Sequence, residues 1–324
     1  MSFIYDDYLQ FYNDTNYSRT EIVPGIFSEY TGHLSDKFTM VTGIRGDLHN
    51  LAGFQLTPRL HLKYDITPKT ALRISGGKGF RMANIFTEST TMFTSSRQVI
   101  IDPLKAEIAW NYGGSLQQKF NFMNREATFI IDFFRTDFEN QIITDLETPG
   151  ALHFYNLNGR SFANSFQADL VIEPIERFDV RLAYKYYDVM VTYDEQLKQR
   201  PLVPQHRAFI NLAYALPYDK WTLDFTARWF GPSRMPEHII AENATSIVYQ
   251  SESLTKDFYL FSAHISRRFK KFDIYAGCEN IANFMIERPI MGSDQPFGPV
   301  FDASLVYAPT DGRIIYAGLR MKIN

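Results

Sequence analysis

The sequence predicts an all-β fold, a transmembrane antiparallel β-barrel, and three observations carry that prediction. Aromatic residues make up 15% of the 324-residue chain while its mean hydropathy is −0.23. Strands that turn one face to lipid and the other to water combine those properties, whereas a soluble α/β enzyme has longer aliphatic runs. The second observation is period-two alternation. Val180, Leu182, Tyr184 and Tyr186 share one face against Asp179, Arg181, Ala183 and Lys185. Trp221, Leu223, Phe225, Ala227 and Trp229 likewise oppose Thr222, Asp224, Thr226 and Arg228. The third is the spacing of connections, in which short turns alternate with long segments, the layout of periplasmic turns and outer loops.

In order along the chain, residues 3–12 read as a first strand, followed by polar, loop-like Asn13–Arg19. Strands follow at 20–33 and 38–48 around Ser35-Asp36-Lys37, then at 55–66 and 70–81 around Thr67-Pro68-Lys69. Segments 104–120 and 126–141 join at Asn121–Arg125, and 159–173 and 178–192 join around Pro174–Arg177. Segments 206–217 and 221–232 meet at Pro217-Tyr218-Asp219-Lys220, 255–269 and 271–283 meet at Lys270-Lys271, and 312–323 closes the series. The total is about thirteen strands, or about fourteen with the first. Long segments fall at 82–103, 142–158, 193–205, 233–254 and 284–311. A β-sandwich also alternates, but it does not require every second connection to be short. Strands of 12–16 residues exceed the ~9–11 needed to cross a bilayer, which leaves a tall outer vestibule.

The net charge of −3 argues against nucleic acid as a partner. Cys278 stands alone, so neither an intrachain disulfide nor a cysteine zinc site can form. No apolar run approaches the ~20 residues of a membrane helix. The opening MSFIYDDYLQFYNDTNY has neither the basic nor the apolar region of a signal peptide.

The run TPRLHLKYDITPKTALRISGGKGFRMANIF, residues 57–86, resembles the middle barrel segment of TonB-dependent outer-membrane receptors. In them a Pro-Arg strand leads through a turn to one closing in Gly-x-Gly-Phe-Arg, here Gly77-Lys78-Gly79-Phe80-Arg81. Tyr275–Phe284, around Glu279-Asn280-Ile281, is similar to the family's penultimate strand, and Gly312–Asn324 resembles its closing strand. The wording is closest to receptors of the Bacteroidetes type. The resemblance implies a barrel of 22 strands with a plug domain, of which residues 1–324 would be the C-terminal portion. The plug, the TonB box, the signal peptide and the early strands would then lie outside this sequence. It further implies an integral outer-membrane location, lipid contact, coupling to the TonB complex through those missing parts, and a small-molecule chelate such as siderophore-iron or cobalamin as substrate. No enzymatic activity and no cofactor are expected. The ending Ile323-Asn324 departs from the aromatic terminus common among outer-membrane barrels. Two other readings stay open: a self-contained fourteen-stranded passive channel and a soluble carbohydrate-binding β protein.

Substrate-contact candidates are Arg81, Asn84 and Phe86 after the glycine-rich strand, and His206, His238 and Phe297 in or beside outer segments. Gly76-Gly77-Lys78-Gly79 lacks phosphate-loop spacing and suits a wall that bends or packs closely. The seven histidines show no i,i+4 metal pairing. Asp132, Asp137 and Glu139 read as solvated lumen carboxylates. Outer aromatic and methionine residues (Met82, Phe86, Met92, Phe93, Phe154, Tyr155, Met291, Phe301) either grip a hydrophobic ligand or pack loops together, and packing is favoured.

Overall fold

The computed structural model describes residues 1–236, 238–243, 246–250, 253–287, 289–295, 298–299 and 301–321, with backbone alone for 238–243 and 246–250. Fourteen strands follow one another in a single antiparallel meander. They are β1 (Ser2–Tyr12), β2 (Thr15–Ser35), β3 (Phe38–His49), β4 (Gly53–Thr67), β5 (Thr70–Arg81), β6 (Glu107–Phe122) and β7 (Arg125–Asn140). They continue as β8 (Ser161–Ile175), β9 (Phe178–Tyr193), β10 (His206–Ala215), β11 (Trp221–Phe230), β12 (Phe258–Arg268), β13 (Phe272–Glu279) and β14 (Ile314–Met321). A short strand, Gln196–Gln199, pairs beside β9. Among the described residues β1 pairs only with β2 and β14 only with β13, so the sheet is open at both edges.

The first hairpins differ from the sequence expectation. Asn13–Arg19 is not a loop: Asn13 and Asp14 alone make the turn, both with positive φ (47° and 58°), and β2 begins at Thr15. Two positive-φ residues match the right-handed twist of a hairpin, so the ladder runs unbroken into the turn. Thr15, Tyr17 and Arg19 take the wet face, where Arg19 lies 4.9 Å over the Tyr8 ring, while Asn16 and Ser18 point outward beside the outer turn, in register with Phe11 and Leu9. The connection 50–52 is equally tight, with Gly53 in the left-handed region (φ 70°). Strict alternation of short and long connections therefore begins only after β5.

Outward faces are apolar and open. Phe133 is 50% exposed, Leu319 58% and Leu9 77%, yet no second layer covers them among the described residues. The opposite face is polar and internally bonded: Asn211 donates to Asp224 (3.0 Å) and Thr226 (3.0 Å), and Thr222 meets Ser266 at 2.6 Å. Trp221 and Trp229 stand at the two ends of the outward row on β11. Eight residues at about 3.4 Å each span about 27 Å along the strand, or about 20 Å in height at barrel tilt. That is close to the ~25 Å apolar band between aromatic girdles.

Asp137 and Glu139 do not face the lumen. Odd positions of β7 point outward, and both carboxylates sit at the outer rim with aromatic partners. Tyr112 donates to Asp137 (2.7 Å) and Trp110 to Glu139 (2.8 Å), while Arg135 and Lys78 supply the cations. Asp132 pairs in register with Ser115 and Gln167 on the lumen side.

Glycines mark close approach of neighbouring strands. A Cβ on Gly113 would lie 2.1 Å from the Phe133 carbonyl oxygen, which is backbone and cannot yield. A Cβ on Gly79 meets nothing within 4 Å. Gly113→Ala is therefore expected to cost about 1–3 kcal/mol through overpacking, while Gly79→Ala stays within about 0.5 kcal/mol. Urea midpoints of the two variants refolded in detergent check the difference.

Candidate functional site

The β4–β5 ladder runs only as far as Arg59↔Gly77. Pro58 has no N–H to donate, so the outer end of β4 parts from Lys78–Arg81 there. A cavity of about 440 Å³ opens at this seam, lined by Arg59, His61, Gly77, Arg81, Asn111 and Phe138 among others. Arg81 projects from the lumen face and is held by Glu107 (2.6 Å) and Glu88 (2.8 Å).

Asn84 caps the single-turn helix Ile85–Glu88 by accepting from the Thr87 amide, while Glu88 accepts from the Asn84 amide (2.9 Å). That reciprocal pairing satisfies amides left free at a helix start. Gln10 donates to the Asn84 side chain (2.9 Å), tying β1 to the loop 82–106. Phe86 packs on Tyr17 and Phe93, with ring centroids 4.7 and 5.0 Å away. Arg81, Asn84 and Phe86 thus share one neighbourhood, each with protein partners.

The other candidates are not brought there. His206 lies on the outward face, where Nδ1 is 2.7 Å from the Tyr184 hydroxyl and the ring contacts Tyr186 and Trp229. Backbone at His238 begins the strand His238–Asn243, and its side chain, like Phe297, lies outside the described residues. Among the described residues no three His, Cys, Asp or Glu side chains converge as a metal site.

The outer loops pack into one cap over the lumen end. Its core joins Ile85, Leu146, Leu152, Phe154, Met235 and Leu305, drawn from four separate connections, with Phe86, Met92 and Phe93 against it. A second cluster sets Ile143 against Val191 and Tyr193 at the outer end of β9. Two nearly buried arginines link the loops. Arg97 reaches Asp302 (2.9 Å), Ser304 (3.1 Å) and the Ala151 carbonyl (2.9 Å). Arg234 reaches Glu147 (2.9 Å) and the Gln199 carbonyl. Burial, together with a hydrogen bond to Asp145, pushes the Tyr155 phenol up, so it stays a neutral donor. Neither arginine stands out in the sequence, because their partners are remote in the chain. Beside the cap, a larger cavity of about 880 Å³ is lined by Asp102, Lys105, Asp145, His153, Tyr155 and Lys198 among others.

The family model described as TonB dependent receptor-like, beta-barrel matches residues 2–281. No curated protein matches the sequence. Solved structures share the fold. The ferric enterobactin receptor PfeA of Pseudomonas aeruginosa superposes with a TM-score of 0.69 at 15% identity, over 94% of this chain and 45% of the receptor. The siderophore receptor PirA of Acinetobacter baumannii gives 0.65 at 14% identity, over 93% and 46%. FpvA of P. aeruginosa, bound to a heterologous pyoverdine, gives 0.62 at 12% identity, over 95% and 39%. The chain spans less than half the length of these receptors. Proteins of this family are outer-membrane transporters rather than enzymes, and with the match running through thirteen of the fourteen strands of the meander, this chain belongs to the TonB-dependent receptor β-barrel family.

Proposed function

We propose that the chain forms the C-terminal part of the barrel of a TonB-dependent active transporter, integral to a Gram-negative outer membrane. It would supply the barrel wall and outer cap that meet a scarce chelate of the siderophore-iron kind. The observation that carries this reading is the open fourteen-stranded meander with an uncovered apolar face, matched to siderophore receptors about twice its length. Unpaired strand edges are not tolerated in lipid, so further strands would flank β1 and β14. The plug and the contact with the TonB complex would come with those strands. The seam cavity and the cap line the route a ligand takes from outside to the lumen.

Closure of the sheet tests the reading. In a Cys278→Ala background, cysteines replacing Tyr5 on β1 and Ala317 on β14 are expected to form no intrachain disulfide in membranes. An efficient intrachain crosslink would mean a self-closed fourteen-stranded channel and overturn the transporter assignment. In the whole receptor, ferric-chelate uptake is expected to stop when the proton-motive force is collapsed.

A further inference from the structure

The outward face of β10–β13 carries a groove of about 560 Å³ that the transport reading does not use. Its floor is made by small side chains, Ala263, Ala276 and Cys278, and its wall by Leu212, Leu223 and Phe225. Register places these in two adjoining rows across the sheet, Tyr214–Leu223–Ile265–Ala276 and Leu212–Phe225–Ala263–Cys278. Both rows belong to the apolar band, so the groove opens to hydrocarbon.

One row nearer the periplasmic turns, the outward residue of β12 is Arg267, two positions along the strand from Ile265. Its guanidinium lies 5.0 Å from the Trp221 ring and 4.8 Å from the Phe269 ring. Lys270 and Lys271 occupy the adjoining turn and Lys220 the neighbouring one, all exposed. None of these four cations has a carboxylate partner among the described residues. The nearby acids, Asp219 and Asp273, both face Arg268, at 3.2 and 3.9 Å. Positive charge is therefore unbalanced at the depth of the periplasmic headgroups, directly below an acyl-sized groove. Stacking on Trp221 and Phe269 fixes the Arg267 plane without using its hydrogen-bond donors.

We propose that this face is a binding site for an anionic phospholipid of the periplasmic leaflet. One acyl chain lies across Ala263, Ala276 and Cys278, and the phosphate is held by Arg267, Lys270 and Lys271. The charge selects the occupant, because a zwitterionic headgroup gains little from clustered cations while an anionic one gains from each. The proposal rests on the outer-membrane reading through the placement of the apolar band.

The test uses the chain within the whole receptor, reconstituted in phosphatidylcholine vesicles with Trp221 as the only tryptophan (Trp110→Phe, Trp229→Phe, and any tryptophan outside this chain replaced likewise), its β-structure checked by circular dichroism. Quenching by brominated phosphatidylglycerol is compared with quenching by brominated phosphatidylcholine. The anionic lipid is expected to bind about fivefold to tenfold more strongly at low salt, with the preference shrinking as salt rises. Lys270→Gln with Lys271→Gln, both in an exposed turn, are expected to remove most of it, and Arg267→Lys to keep part. Equal quenching by the two lipids overturns the site and leaves the barrel reading standing. No quenching by either lipid overturns both. Displacement of the anionic lipid by millimolar inorganic phosphate would make the site one for a free anion and overturn the lipid as its occupant.

Discussion

Replacing Arg97 with alanine is expected to release the outer cap while leaving the sheet folded. Its side chain is only 3% exposed and carries a positive charge into the junction of three loops. It donates to Asp302, Ser304 and the Ala151 carbonyl, so its loss leaves the largely buried Asp302 carboxylate without its countercharge, held only by Ser304, and the carbonyl without this donor. Breaking one side of a buried pair costs about 3–5 kcal/mol, most of it the stranded partner charge. The cost is confined to the cap, because none of these contacts reaches the ladders of the fourteen-stranded sheet; Ala151 pairs with Gln98 in a small sheet of the loops themselves. Hydrogen exchange should accelerate across 95–103, 142–156 and 301–305 and stay unchanged in β6–β9, and limited proteolysis should cut first in those loops. A paired Arg97→Met, Asp302→Leu exchange is expected to recover much of the protection, since apolar residues of similar volume often replace a buried ion pair without loss. Equal acceleration throughout β6–β9 would show that the cap and the sheet unfold as one unit.

What the sequence made legible was the wall. Alternation at 178–187 and 221–229 assigns faces without reference to partners, because a strand's side chains divide between two sides whatever lies beyond them. The tight turns at Pro68, Pro217–Lys220 and Lys270–Lys271 were legible for a similar reason, being set by a few adjacent residues. The first hairpin was misread because Thr15–Arg19 carries polar residues on both faces beside the outer turn, and polarity alone does not separate a loop from the end of a strand. Segment 126–141 gave no assignable face in sequence, since Phe134 and Phe138 sit on the lumen side while Arg135, Asp137 and Glu139 sit outside, at the rim. The cap was illegible for a different reason. Arg97 and Asp302 are 205 residues apart, and no local pattern signals such a contact. The candidates divide along the same line: Arg81, Asn84 and Phe86 follow directly from a strand end and share a neighbourhood, whereas His206 was placed by its closeness to a loop and belongs to the outer aromatic girdle.

Arginine at Phe225 is expected to be the most damaging single charge on this sheet, and arginine one residue later among the least. Phe225 lies midway between Trp221 and Trp229 on the outward row of β11, where the girdle residues place the bilayer centre. A cation there costs about 2–4 kcal/mol at the midplane and about 0–1 near the interfaces. Thr226 points the other way, into a network with Asn211 and Asp224 that already accommodates charge. Denaturant titrations in phosphatidylcholine vesicles should therefore show a large loss for Phe225→Arg, a small one for Trp229→Arg and little change for Thr226→Arg. The depth dependence matters more than any single value, because a protein core also rejects charge but does not grade the penalty by distance from two aromatic rows. A loss at Thr226 equal to that at Phe225 would mean that both faces are dry. The sheet would then be the inner layer of a soluble protein, and the placement of lipid, lumen and cap derived from its alternation would fall together.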